Sequence, residues 1–192
     1  VGYEVVSDSV FSKISDTCTP QGVLCVLKQF HYNIEEMLRD KAPLFLLLEN
    51  IQDPGNLGTM LRTGEGAGVS GIIMSRDTVD LYNPKVIRST MGSIYRVPFY
   101  YADDFAAAVH QVQQAGVSVY AAHLRGKNSY ACQDYTKGTA FLIGNEGNGL
   151  REETAELADC YIRIPMEGKV ESLNAAVASS ILMYEAHRQR AI

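Results

Sequence analysis

Residues 44–62 read LFLLLENIQDPGNLGTMLR, and they decide the fold class. A strand wetted on one face alternates apolar and polar residues. The unbroken apolar run at 44–48 instead belongs to a strand covered on both faces, the usual situation in a parallel sheet flanked by helices. A polar loop with Pro54 and Gly55 follows, and then Leu57, Met60, Leu61 and Gly64 recur at helical spacing.

Working outward, the same alternation of short apolar runs and helix-like segments continues along the chain. Strands are predicted at 23–27, 44–49, 71–74, 95–99, 117–121, 140–143 and 161–164. A helix is predicted over 83–91 with Pro84 in its first turn, and another over 105–115, capped by Asp103 and stopped by Gly116. Leu173, Ala176, Val177, Ser180, Ile181 and Tyr184 form a stripe that predicts one long helix over 172–190, with Ser172 as its cap. The expected fold class is therefore α/β, a mostly parallel sheet flanked by helices.

Composition agrees: 192 residues, 46% hydrophobic and 20% charged, suit one substantial core. Cys18, Cys25, Cys132 and Cys160 are scattered, with no C-x-x-C pair, so reduced thiols and no metal site are expected. No run approaches the roughly 20 apolar residues of a membrane span and no signal-peptide pattern opens the chain, so a cytoplasmic protein without membrane contact is expected. The chain starts at Val1, which raises the expectation of a longer parent protein. A net charge of -5 has the wrong sign for bulk electrostatic binding of nucleic acid, so any RNA contact must be local.

The informative residues fall in three loops, each directly after a predicted strand, where open α/β sheets bind ligands. The first spans 49–58 and leads to Arg62; its simplest structural role is a corner in which Asp53 or Asn56 caps a helix. The second, 144–150, holds three glycines and two asparagines in its first six residues, allowing close backbone approach to a ligand or simply a tight turn. Its spacing matches neither the G-x-G-x-x-G dinucleotide pattern nor the phosphate loop. The third runs from Ile164-Pro165-Met166 to Ser172-Leu173-Asn174, and its apolar edge suits a flat aromatic ligand such as adenine.

Together these segments resemble the three motifs of the SpoU, or TrmH-like, branch of the SPOUT RNA 2′-O-ribose methyltransferases: Asn56 through Arg62, then Gly144-Asn145-Glu146-Gly147, then Ile164-Pro165-Met166 with Ser172-Leu173-Asn174. The resemblance covers about 44–188. It implies a C-terminal deep trefoil knot, a homodimer and S-adenosylmethionine as methyl donor. It places donor contacts on Gly144, Asn145, Ile164, Met166, Ser172, Leu173 and Asn174, and catalysis on Arg62 supported by Asn56 and Glu146. It also implies that residues 1–29 are the remnant of an N-terminal RNA-binding domain with its linker, and 30–192 the catalytic domain. The expected partner is RNA, ribosomal rather than transfer RNA by analogy of architecture. Arg188 and Arg190 at the end of the last helix, with Lys85 and Arg88 on another, are the candidate RNA contacts; the alternative for each pair is a solvated surface.

A ribose 2′-hydroxyl is a poor nucleophile, so positioning should supply much of the rate. The family proposal makes the arginine a general base. A guanidinium stays protonated, and a cation stabilising the developing alkoxide is the assignment physics favours. Two competing functions remain: a SPOUT enzyme methylating a base nitrogen, and a non-catalytic RNA-binding module.

Overall fold

A computed structural model describes residues 2–191. The chain divides into two units, one ending at Phe30 and the other running His31–Ile192. Among the described residues the first holds one helix, α1 (Asp8–Ile14), with no buried residue. The strand expected at 23–27 does not form: Val23 and Val26 are exposed and the segment pairs with nothing. An apolar run becomes a strand only where a neighbouring strand takes its backbone groups and another layer covers its side chains.

The second unit contains α2 (Ile34–Met37), β1 (Leu44–Leu48), α3 (Pro54–Ala67), β2 (Gly71–Ser75), α4 (Pro84–Ser89), β3 (Phe99–Ala102), α5 (Phe105–Gln114), β4 (Ser118–Ala122), β5 (Asn128–Ser129), β6 (Thr139–Ile143), α6 (Glu152–Ala155), β7 (Cys160–Arg163) and α7 (Ala175–Arg190). The sheet has the order β3-β2-β1-β6-β4-β7-β5 and every registered pair is parallel. All five residues of β1, β2 and β6 are buried. Along β1, Leu44, Leu46 and Leu48 pack with Leu57, Met60 and Leu61 of α3 and Leu182 and Met183 of α7. Phe45 and Leu47 face the other layer, with Ile34, Met37, Val109, Val112 and Ala155. Both faces of the sheet are thus closed, which is why the strands could be read as continuous apolar runs.

Several elements differ from expectation. The strand placed at 95–99 begins instead at Phe99. Upstream, Ser93–Tyr95 is a 3₁₀ turn in which the Ser93 carbonyl accepts from Arg96 and Val97, both at 3.0 Å, and Pro98 has no N–H to give a ladder. Helix α5 is capped by Asp104, whose side chain accepts from Ala107 N at 2.9 Å, rather than by Asp103. Strand β5, too short to register as a pattern, adds an edge beside β7. Helix α7 starts at Ala175 with Asn174 as its cap, accepting from Ala176 N at 2.9 Å and Val177 N at 3.2 Å; Ser172 lies outside the helix.

The buried face of α7 is also rotated from the predicted stripe. Ala175, Ala176, Ser179, Leu182, Met183 and Ala186 face the core, whereas Val177 and Tyr184 are 48% and 49% exposed. Small residues at 175, 176, 179 and 186 let α7 lie close to α3 with Leu182 and Met183 between them; the predicted stripe shares only Ala176 with this face. Among the described residues, no helix is long and apolar enough to cross a membrane.

Candidate active site

Because the strands are parallel, their carboxyl ends share one edge of the sheet, and the loops that follow them meet there. β1 and β6 are neighbours with Leu48 opposite Ile143, so the loops beginning at Glu49 and Gly144 start side by side. The first loop is fixed from below. Asn50 adopts φ 54°, its N–H donates to Ser75 Oγ at 2.8 Å, and Ile51 N donates to Thr78 Oγ1 at 3.3 Å. Asp53 then caps α3, accepting from Asn56 N at 2.7 Å.

The second loop is organised by Asn145. Its backbone exchanges hydrogen bonds with Gly149 at 3.0 and 2.9 Å, and its Oδ1 accepts from Gly147 N and Asn148 N at 2.9 and 3.0 Å. Its amide nitrogen donates to the Asn50 carbonyl at 2.8 Å, joining the second loop to the first. A side chain at Gly144 is excluded by the loop's own backbone, since a Cβ there would lie 2.2 Å from Gly149 C and Leu150 N.

Above these contacts runs a polar chain linking all three loops. Glu146 Oε1 accepts from Asp53 N at 3.0 Å and Asn56 Nδ2 at 2.9 Å, and Oε2 accepts from Gln52 N at 3.1 Å. Asn56 Oδ1 in turn accepts from Asn174 Nδ2 at 3.0 Å, while Asn174 Oδ1 caps α7. Partial burial raises the Glu146 pKa, but the donors Asn56, Gln52 and Asp53 outweigh it and hold the carboxyl below its ordinary value. Glu146 is therefore a carboxylate at neutral pH, a fixed acceptor that orients Asn56.

Arg62, six residues beyond Asn56 on α3, is exposed and has no hydrogen bond or ion pair among the described residues. Helical side chains lean toward the helix N-terminus, the end of α3 that meets the loops. Arg62 therefore presents a guanidinium with all its donors available on the exposed surface of α3, and it does not line the cavity described next.

Beside this chain lies a cavity of about 280 Å³. Its walls include Ile143, Ile164, Met166 and Leu173 on the apolar side, and residues 144–149 with Ser172 on the polar side. Gly144, Asn145, Glu146, Ile164, Met166, Ser172 and Leu173 come together here; Asn174 and Asn56 are not among the lining residues and connect to the cavity through Glu146. Such a volume lies near the small end of the range for small-molecule sites, roughly 300–1,000 Å³, and its mix of apolar wall and backbone amides suits a compact ligand with an aromatic part. His123, also lining the cavity, packs on Tyr161 at 5.0 Å; burial, then the neighbouring Arg125, hold its imidazole below the usual value and so neutral at pH 7.

The expected RNA contacts separate. Lys85 and Arg88 are exposed on α4. Arg188 forks onto Glu185 at 2.9 and 2.7 Å. Arg190 leaves the set: its guanidinium donates to the carbonyls of Tyr135, Ala42, Pro43 and Lys137 at 2.5–3.3 Å, which ties the end of α7 to the amino ends of β1 and β6. Those strand ends are opposite the edge where the three loops meet.

Sequence reasoning gave no role to Glu49, 2% exposed at the end of β1. Its carboxylate accepts from Arg151 N at 2.8 Å and from Thr154 Oγ1, closing the second loop onto α6, and Arg151 also pairs with Asp77. A charge at the end of a buried apolar strand is the signal that could have identified it, since buried carboxylates are held by donors. His123 and Leu124 were missed too, although they follow β4 on the same edge.

The SpoU rRNA Methylase family matches residues 43–184. The chain is similar to the 23S rRNA (guanosine(2553)-2′-O)-methyltransferase RlmP of Bacillus subtilis (strain 168), 35% identical over 180 residues, covering 94% of this chain and 70% of that protein. Its structure is similar to the AdoMet-bound rRNA methyltransferase from Sinorhizobium meliloti, with a TM-score of 0.85, 36% identity, and coverage of 95% of this chain and 70% of the other. It is also similar to the TrmH/SpoU tRNA modifying enzyme of A. aeolicus, with a TM-score of 0.71, 30% identity, and coverage of 81% and 80%.

Proposed function

The chain belongs to the SpoU rRNA methylase family, and from that premise we propose that it is an RNA 2′-O-methyltransferase that takes its methyl group from S-adenosylmethionine. The observation that carries the reading is the polar chain Glu146–Asn56–Asn174, which joins three loops at the rim of one cavity. The cavity fits the donor: Ile164, Met166 and Leu173 offer an apolar wall to an adenine, and the backbone of 144–149 offers amides and carbonyls to its edges. When bound, the donor supplies a methyl carbon made electrophilic by its sulfonium.

The protein's part is positioning and electrostatics. Glu146 and Asn174 hold Asn56 from two sides, so its amide is fixed before substrate arrives. Arg62 acts as a cation that stabilises negative charge developing on the ribose 2′-oxygen. Glu146, a carboxylate engaged by three donors, stays ionised and orients rather than protonates.

Ribosomal RNA is the substrate we favour, because RlmP and the Sinorhizobium protein are both named for rRNA at 35–36% identity; transfer RNA is the alternative that the A. aeolicus likeness supports. The same reading includes a trefoil knot at the C-terminal segment and an N-terminal RNA-binding domain to which residues 1–29 would belong. Lys85 and Arg88 are retained as proposed RNA contacts. A homodimer belongs to the proposal too, supported by the half-exposed Val177 and Tyr184 on α7; a solution mass of one chain, 21.1 kDa, would contradict it.

The test is transfer of a radiolabelled methyl group from S-adenosylmethionine to purified bacterial ribosomal and transfer RNA, followed by alkaline hydrolysis. A 2′-O-methyl group removes the hydroxyl that alkali needs, so label in alkali-resistant dinucleotides supports ribose methylation. Label in mononucleotides would mean base methylation, and no label with intact donor binding would mean a non-catalytic module.

A further inference from the structure

Next to the donor cavity lies a second groove, of about 490 Å³, walled by the chain between β4 and β5 and by the end of β7. Its lining includes Arg125, Lys127 and Arg163, with Asn128 and Ser129 between them and no acidic residue. In a chain with 22 acidic and 17 basic side chains, this grouping is a local reversal of sign. The segment is held flat on β7: His123 N donates to the Ile162 carbonyl at 3.0 Å, Gly126 N to the His123 carbonyl at 2.9 Å, and Asn128 and Ser129 pair with Ile162 and Arg163. Gly126 is buried against β7, where a Cβ would lie 2.8 Å from Ile162 C, so its neighbours Arg125 and Lys127 are left exposed on the groove.

The side chains of Lys127 and Arg163 have no hydrogen-bond or ion-pair partner among the described residues. Arg125 pairs with Glu152 in the open, at 58% and 60% side-chain exposure, an ion pair that a phosphate can replace. The two cavities share Leu124 and Arg163, so whatever lies in the groove ends beside the donor cavity.

We propose that the groove lined by Arg125, Lys127 and Arg163 holds the phosphodiester backbone of the RNA strand flanking the methylated nucleotide. Cations without side-chain partners bind phosphate by charge, and Asn128 and Ser129 add hydrogen bonds to the backbone without reading bases. The proposal rests on the methyltransferase reading for the identity of the strand.

The experiment uses the whole chain with a fluorescein-labelled, 12-nucleotide single-stranded RNA of mixed sequence, its affinity measured by anisotropy across a salt series. Removing one cation that neutralises a phosphate of a single strand lowers the log–log salt slope by about 0.7, so Arg125→Gln/Lys127→Gln should lower it by about 1.4 and Lys127→Gln alone by about 0.7. Calorimetric affinity for S-adenosylmethionine should stay at the wild-type value in both. Unchanged slopes in both variants, or no measurable affinity of the wild type for this RNA, overturn the groove. Variants that show the predicted slope losses, beside a wild type that transfers no methyl group, refute the methyltransferase reading alone.

Discussion

Replacing Arg62 with alanine separates chemistry from folding in one change. The side chain is exposed and unpartnered, so its removal should alter stability by no more than about 0.5 kcal/mol, as for surface substitutions in general. It lies outside the lining of the cavity proposed for the donor, so donor affinity should be unchanged. If the guanidinium stabilises the developing alkoxide, turnover should fall by roughly 10²-fold or more, equivalent to about 2.7 kcal/mol of transition-state stabilisation. Arg62→Lys should recover only part of that loss, because an ammonium keeps the charge without the planar fork. The assay is single-turnover methyl transfer to a confirmed RNA substrate, run beside thermal denaturation and a donor titration. An Arg62→Ala rate within twofold of wild type would refute the electrostatic assignment. A rate loss matched by an equal loss of stability would refute the claim that the side chain acts only in the reaction.

Three further outcomes follow from the loops. Asn174→Ala removes the α7 cap and the bond to Asn56, so it should cost about 1 kcal/mol and lower the melting temperature by about 2–4 °C, whereas Ser172→Ala should leave the melting temperature unchanged; equal effects would return the cap to Ser172. Gly144→Ala forces a Cβ against the Gly149–Leu150 backbone and should weaken donor binding at least tenfold by displacing the loop, while Gly147→Ala, whose Cβ would approach only Asn145 Oδ1 at 3.6 Å, should bind as wild type in calorimetry. Glu146 has its pKa depressed by folding, so its contribution is fully present above the ordinary carboxyl value of 4.5 and is lost as pH falls through the depressed one. The methylation rate should therefore show no ionisation of Glu146 between pH 6 and 9; a step in that window that Glu146→Gln removes would contradict the orienting role.

Local sequence determined a great deal here. The unbroken apolar runs at 44–48 and 140–143 specified buried parallel strands because polar faces would have required alternation. The position of each loop after a strand marked where a ligand would lie, and the turn chemistry of Asp53-Pro54 and Asn83-Pro84 set the starts of two helices. Where the sequence misled, the missing information was about partners. Residues 23–27 have the composition of a strand and no neighbour to pair with, and the stripe on α7 was misplaced because which face of that helix is covered is set by its packing on α3 rather than by its own spacing. Arg190 looked like a free surface cation until the chain's return placed four carbonyls around it. Above all, only tertiary structure brought Glu146 within 2.9 Å of Asn56 and Asn174 within 3.0 Å of the same side chain, across separations of 90 and 118 residues. Side-chain period and capping are fixed by near neighbours in sequence, whereas which side chains meet is decided by strand order, and the insertion of β6 beside β1 is what assembled this site.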